Sequence, residues 1–127
     1  DHVERLIRPA LDRGAWVVSD RFADSSRVYQ GVARDGNRQL VEALHRLVIG
    51  IEPDLTFLID MDPAAALARS KARGGAEDRF ESLGLEFQQR LRVGFLALAR
   101  EYPDRIRVID GEGPEDAVAA RVLAALP

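Results

Sequence analysis

The sequence predicts an α/β fold, an open parallel sheet between layers of helix. Three observations carry that expectation: short apolar runs at residues 15–20, 55–60 and 105–110, amphipathic stretches of helical length between them, and an aspartate at the end of each run. Strands that alternate with helices of this length pair in parallel through right-handed crossovers.

The elements follow in order. Val3, Leu6, Ile7, Ala10 and Leu11 share one helical stripe, and Gly14 offers a stop. Residues 15–20, AWVVSD, are continuous and β-branched at their centre, as in a strand covered on both faces. Residues 21–37 are polar, with glycines at 31 and 36, and predict a loop with at most a short helical turn. Leu40, Leu44, Leu47 and Val48 define a second helix ending near Gly50, and Pro53-Asp54 introduces the strand at 55–60. Asp62 as cap and Pro63 at the first helical position begin a third helix that runs through Leu67 towards Arg73.

Residues 70–79 hold a glycine pair and several charges without an apolar anchor, and predict a mobile segment. Leu83, Phe87, Leu91, Phe95 and Leu98 then step along a long helix. The last strand is RIRVID. Pro114, Glu115 and Asp116 open a closing helix bearing Val118, Val122 and Leu126. Three strands make a thin core for 127 residues, so further sheet material is expected.

Composition narrows the function classes. With 46% hydrophobic and 31% charged residues, the chain has the balance of a globular domain. A net charge of -3 and a pI near 5.4 argue against a broad nucleic-acid surface but allow a few arginines focused on one small anion. Without cysteine there is no disulfide framework or thiolate zinc site, and His2 and His45 are too few for a histidine-rich metal site; both read as surface or packing residues. No run reaches the roughly 18 apolar residues of a membrane span, and no secretory leader is legible, which makes the cytoplasm the expected location.

In an open α/β sheet the ligand crevice lies beyond the carboxyl ends of the strands, where Asp20-Arg21, Asp60-Met61-Asp62 and Asp110-Gly111 fall. Asp62 and Asp110 suit structural capping, and Asp20 suits a ligand or magnesium network. Arg21 can clamp a phosphate with its planar fork, or pair with a neighbouring acid. Ser25, Ser26, Tyr29 and Gln30 combine hydroxyls, a ring and an amide able to read a pyrimidine edge, or form an ordinary polar turn. Lys71, Arg73 and Arg79 flank Gly74-Gly75, either as a flap that closes over a transferring phosphate or as a solvated basic loop balanced by Glu77, Asp78 and Glu81. Arg90 and Arg92 read as surface or interhelix charges. The chain contains no G-x-x-x-x-G-K-[ST], no nucleophile elbow and no H-E-x-x-H.

Taken together, HVERLIRPAL, WVVSDRFADSSRVYQG, PDLTFLID, ARGGAEDRFE, LEFQQRLRVGFLALA and RVIDG resemble bacterial thymidylate kinase across essentially the whole chain, D-R-F with S-S-x-x-Y-Q-G being the specific part. The resemblance implies a P-loop nucleoside-monophosphate-kinase fold, with residues 1–127 as the carboxyl-terminal portion of one domain and a lid at 70–80. It implies transfer of the terminal phosphoryl group of ATP, with Mg2+, to thymidine monophosphate by a homodimer. Under it, Asp20 is the acid near the magnesium and acceptor phosphate, meeting the metal through water if at all. Arg21 holds the thymidylate phosphate; Ser26 and Gln30 lie near the thymine, Tyr29 crowds the sugar, and Ser25 belongs to the same substrate-binding loop. Arg73 is the lid arginine on the ATP side, and Arg79 belongs to the same lid. The family's phosphate loop and first strand are not in this sequence; that strand is expected between the runs at 15–20 and 55–60, and the chain alone is expected to be inactive. Helices near 1–13 and 38–50 are the expected subunit contact. Two alternatives stand beside this reading: a kinase for another pyrimidine nucleoside monophosphate, and a non-catalytic nucleotide-binding or assembly module.

Overall fold

The computed structural model describes residues 2–33, 38–73 and 84–127. A π-helical turn, Val3–Ile7, runs into helix α1, Arg8–Asp12. The cause of the wide turn is Pro9. It has no N–H, and its ring would press on the carbonyl four residues back, whereas the Arg8 N–H donates five residues back to Val3 O. Val3 and Ile7 are buried, while Leu6 and Leu11 stay exposed, so only part of the expected stripe is covered.

Residues 15–20 belong to no ladder, in contrast to the strand expected there. A β-branched run supplies propensity, but a strand is made by the neighbour that accepts its hydrogen bonds. Here Trp16 is 78% and Val18 91% exposed.

The second departure is helix α2, Ala23–Ala33, where a polar loop was expected. Its grip is ionic. Arg27 donates to Asp24 one turn back (2.8 Å), to Glu42 (2.7 Å) and to Glu52, and Arg105 forks onto the same Asp24. Asp24, Arg27 and His45 are all buried in this cluster, and His45 Nε2 lies 2.9 Å from Glu52 Oε1 without hydrogen-bond geometry.

Helix α3, Arg38–Val48, forms as expected and stops where Gly50 takes φ +68 and donates to His45 O (2.8 Å), a left-handed cap that glycine enters without strain. Strand β1, Thr56–Asp60, pairs in parallel with β2, Ile106–Asp110, in the register Thr56↔Ile106 to Asp60↔Asp110. Between them lie α4, Pro63–Ala72, and the long α5, Gly84–Glu101; α6, Glu115–Ala124, follows β2. Asp62 occupies the N-cap position of α4 but makes no side-chain cap bond. A Cβ at Gly111 would stand 2.9 Å from Ile59 Cγ2 and 3.1 Å from Asp60 O, so glycine lets the exit of β2 pass tightly beside β1.

The α/β class with a parallel sheet therefore holds, with two paired strands among the described residues. The core sits where α2 and α5 meet the strands: Val28, Leu91, Leu98, Ala99 and Ile106 are buried, ringed by Tyr29, Leu58, Phe87, Phe95 and Tyr102. Full burial of a valine, leucine or isoleucine side chain is worth about 1.5–3 kcal/mol. Of the segment 70–79 expected to be mobile, residues 70–72 complete α4 and Arg73 caps it, while 74–79, like Leu83, lie outside the described residues. Among the described residues no helix is long and apolar enough to cross a membrane.

Candidate functional site

Beyond the carboxyl end of β1 opens a cleft of about 340 Å³. Leu58 to Met61 form its floor, Pro63, Ala66, Leu67 and Ser70 of α4 one wall, and Gln88, Leu91, Arg92 and Phe95 of α5 the other. Arg21, Tyr29 and Arg73 enter it from three separate parts of the chain.

Arg21 is held in an uncommon conformation. Its φ is +66, the one positive value on a non-glycine among the described residues, and Ser19 Oγ donates to its carbonyl at 2.8 Å. A left-handed backbone is costly for a branched-free arginine as for any residue with a Cβ, and it persists only where the surroundings fix it. The result directs the guanidinium to Tyr29: Nη1 donates to Tyr29 Oη at 3.4 Å, and Cζ lies 5.7 Å from the ring centroid. The Tyr29 ring is itself held by Phe95 edge-on and by Phe87 at a tilt, each 6.4 Å away between centroids. An exposed cation over a fixed aromatic ring suits a phosphate attached to a flat, partly apolar ligand.

Arg73 caps the carboxyl end of α4, its N–H donating to Arg69 O and Ser70 O at 3.2 Å, and its exposed side chain reaches the cleft. The other expected residues are placed differently. Asp20 is exposed and outside the lining; Ser25 is half-buried, Ser26 and Gln30 are exposed, and none lines the cleft. Ser25 and Ser26 lie one turn before Tyr29 on the adjoining flank of α2, as helical spacing requires. Arg79 lies outside the described residues.

One pair escaped the sequence reading. Arg92, expected as a surface or interhelix charge, forks onto Asp60 at the end of β1 with bonds of 2.8 and 3.0 Å, and both line the cleft. The Asp60 carboxylate raises the proton affinity of Arg92. The signal was Asp60 itself, an acid at a strand terminus, together with Arg90 and Arg92, which flank Leu91 of the apolar stripe on the facing helix. At the other strand end, Asp110 Oδ1 accepts from the Glu112 N–H (3.0 Å), consistent with a structural role.

These features define a class: an α/β protein with a cationic cleft at the carboxyl ends of parallel strands, where proteins of this architecture bind nucleotides. A sequence model of the family described as thymidylate kinase matches residues 1–122, and the chain belongs to that family. It is 60% identical over 122 residues to the thymidylate kinase of Ruegeria pomeroyi, covering 96% of this chain and 58% of that protein. It is 62% identical over 126 residues to the thymidylate kinase of Dinoroseobacter shibae, covering 99% of this chain and 61% of the relative. The crystal structure of thymidylate kinase from Ehrlichia chaffeensis superposes with a TM-score of 0.75 at 30% identity, over 99% of this chain and 59% of that one. The chain thus spans about three fifths of the length of the relatives it matches.

Proposed function

We propose that this chain supplies the acceptor side of a kinase that transfers the terminal phosphoryl group of ATP to thymidine monophosphate, giving thymidine diphosphate. The observation that supports it is the convergence of Arg21, Tyr29 and Arg73 on one cleft at the strand ends. Arg21 anchors the monophosphate, and Tyr29 packs beside the sugar. Ser25, Ser26 and Gln30, one flank away on α2, meet the base and phosphate from the rim. Arg73, with Arg79, sits in a lid at 70–80 and sets positive charge against the phosphate in flight, where catalysis rests on alignment and charge stabilisation.

ATP and Mg2+ supply the transferable phosphoryl group and neutralise its oxygens. Among the described residues no three His, Asp or Glu side chains form a metal cage, and Asp60 is engaged by Arg92. This donor set fits an ion carried on nucleotide phosphates, with exposed Asp20 reaching it through water. A phosphate loop on a further strand, set between residues 15–20 and β1, completes the donor side; the 127 residues alone bind without turning over. The protein works in the cytoplasm as a homodimer, with α3 in the contact.

Steady-state kinetics on the full-length protein tests this reading. Thymidylate is expected to be phosphorylated faster than deoxyuridylate, uridylate or cytidylate, and Arg73→Ala to lower kcat at least tenfold with little change in KM for thymidylate, about 1.4 kcal/mol in the transition state alone. Equal rates on all four acceptors would reject the base-reading role, and no phosphorylation of any would reject the activity.

A further inference from the structure

Helix α2 carries Tyr29 and begins two residues after Arg21, yet among its described side chains few are both apolar and buried. Ala23 and Val28 are buried, Tyr29 is half-buried, and Ser26, Gln30 and Gly31 are exposed. Contacts of this kind are non-directional and leave rotation about the helix axis weakly defined. The directional contacts belong to Arg27, which forks onto Glu42 and reaches Glu52, and to Asp24. Its Oδ1 accepts from Arg27 Nη1 at 2.8 Å and from Arg105 Nη2 at 3.1 Å, and its Oδ2 accepts from Arg105 Nη1 at 2.6 Å. Arg105 directly precedes β2, and its cation lies 4.9 Å over the Tyr102 ring. A planar fork on a carboxylate fixes both angle and height, which a point charge would not.

From these contacts we infer that Asp24 is a positioning residue for the anion anchor, locking the rotation and axial height of α2 and with them the placement of Arg21 and Tyr29. Asp24 and Tyr29 are five positions apart, about 140° around the helix, so Asp24 acts through the backbone and not by touching the ligand. The cleft lining contains Tyr29 and not Asp24. The left-handed Arg21 is then bounded on both sides, by Ser19 Oγ on its own carbonyl and by the first turn of α2, whose Ser25 N–H donates to Phe22 O at 3.1 Å. Burial opposes ionisation of Asp24, but the hydrogen bonds of Arg105 and Arg27 outweigh it and keep its carboxyl below the ordinary range.

The kinetic arm of the test rests on the proposed acceptor role of the cleft; the spectroscopic arm does not. In the full-length protein, Asp24→Asn is expected to raise KM for thymidylate about tenfold, with kcat and KM for ATP within twofold of wild type. Arg105→Lys, which keeps the charge and loses the fork, shifts the same constant less. Ile109→Ala, a buried-core variant outside the cluster that packs on Tyr29, leaves it unchanged. By NMR, the Arg21 amide and the Tyr29 ring signals move in Asp24→Asn and Arg105→Lys but not in Ile109→Ala. The inference is overturned if both clamp variants keep wild-type KM and wild-type Arg21 and Tyr29 signals, or if Ile109→Ala moves them equally. Should the wild type fail to phosphorylate thymidylate, the acceptor role falls and the NMR comparison alone decides; should Asp24→Asn not fold, Arg105→Lys decides.

Discussion

Arg21 concentrates the chemistry available to this cleft, because its backbone is bent into a left-handed turn and its fork is presented beside a fixed ring. A charged hydrogen-bonded anchor contributes about 1.5–3 kcal/mol, so Arg21→Ala is expected to weaken thymidylate binding by about 10- to 100-fold in calorimetric titration, and Arg21→Lys by less. Unchanged affinity in Arg21→Ala would remove it from the site. The ion-paired carboxylates act on stability instead. Buried Asp24 and exposed Glu52 are both desolvated to a degree that would raise their values, but Arg105 and Arg27 for the first and Arg27 for the second hold the folded-state values below the ordinary ones. Below about pH 4.5 the unfolded chain therefore binds more protons than the folded chain, and stability falls as pH drops through the folded values. The urea midpoint is expected to be level from pH 7 to about pH 5 and to decline towards pH 3, with a shallower decline in Asp24→Asn. An equally steep acid limb in that variant would contradict the assignment to Asp24.

Among the elements, α5 shows what a sequence exposes and α2 what it conceals. Phe87, Leu91, Phe95 and Leu98 recur at helical steps, and the residues they predict as core pack together. α2 has no such stripe. Its buried members include Asp24 and Arg27, and one of their partners, Arg105, is 81 positions away, a distance no local period can register. The Asp60–Arg92 fork was hidden for the same reason, since each half reads as an ordinary terminus or surface charge until strand and helix meet. Arg21, Tyr29 and Arg73 line one cleft, although the run at 15–20 that was expected to place Arg21 at a strand end belongs to no ladder. Helix α3 keeps its apolar face outward, with Leu44 51%, Leu47 83% and Val48 67% exposed. If that face is the contact between two copies, Leu47→Glu is expected to convert the full-length protein from dimer to monomer in sedimentation velocity without loss of helical content. A dimer unchanged by Leu47→Glu would move the contact elsewhere.

At the scale of the whole molecule, β1 and β2 pair only with each other among the described residues and residues 15–20 pair with neither, which leaves strand edges that proteins ordinarily cover. Trp16 and Val18 are too exposed to stabilise the 127 residues by burial. A strand bearing the phosphate loop, inserted between residues 15–20 and β1, would give both segments hydrogen-bond partners and bury the indole at once. The chain has one tryptophan, so its emission reports this event without ambiguity. Trp16 in the 127-residue chain is expected to emit at the red position of a water-exposed indole and to be quenched readily by acrylamide. In the full-length protein, its emission should shift to the blue and quenching should fall, together with the appearance of thymidylate kinase activity. Emission and quenching identical in the two proteins would mean that the covering strand does not lie beside Trp16, and the donor side of the site would have to be assembled at another edge of the sheet.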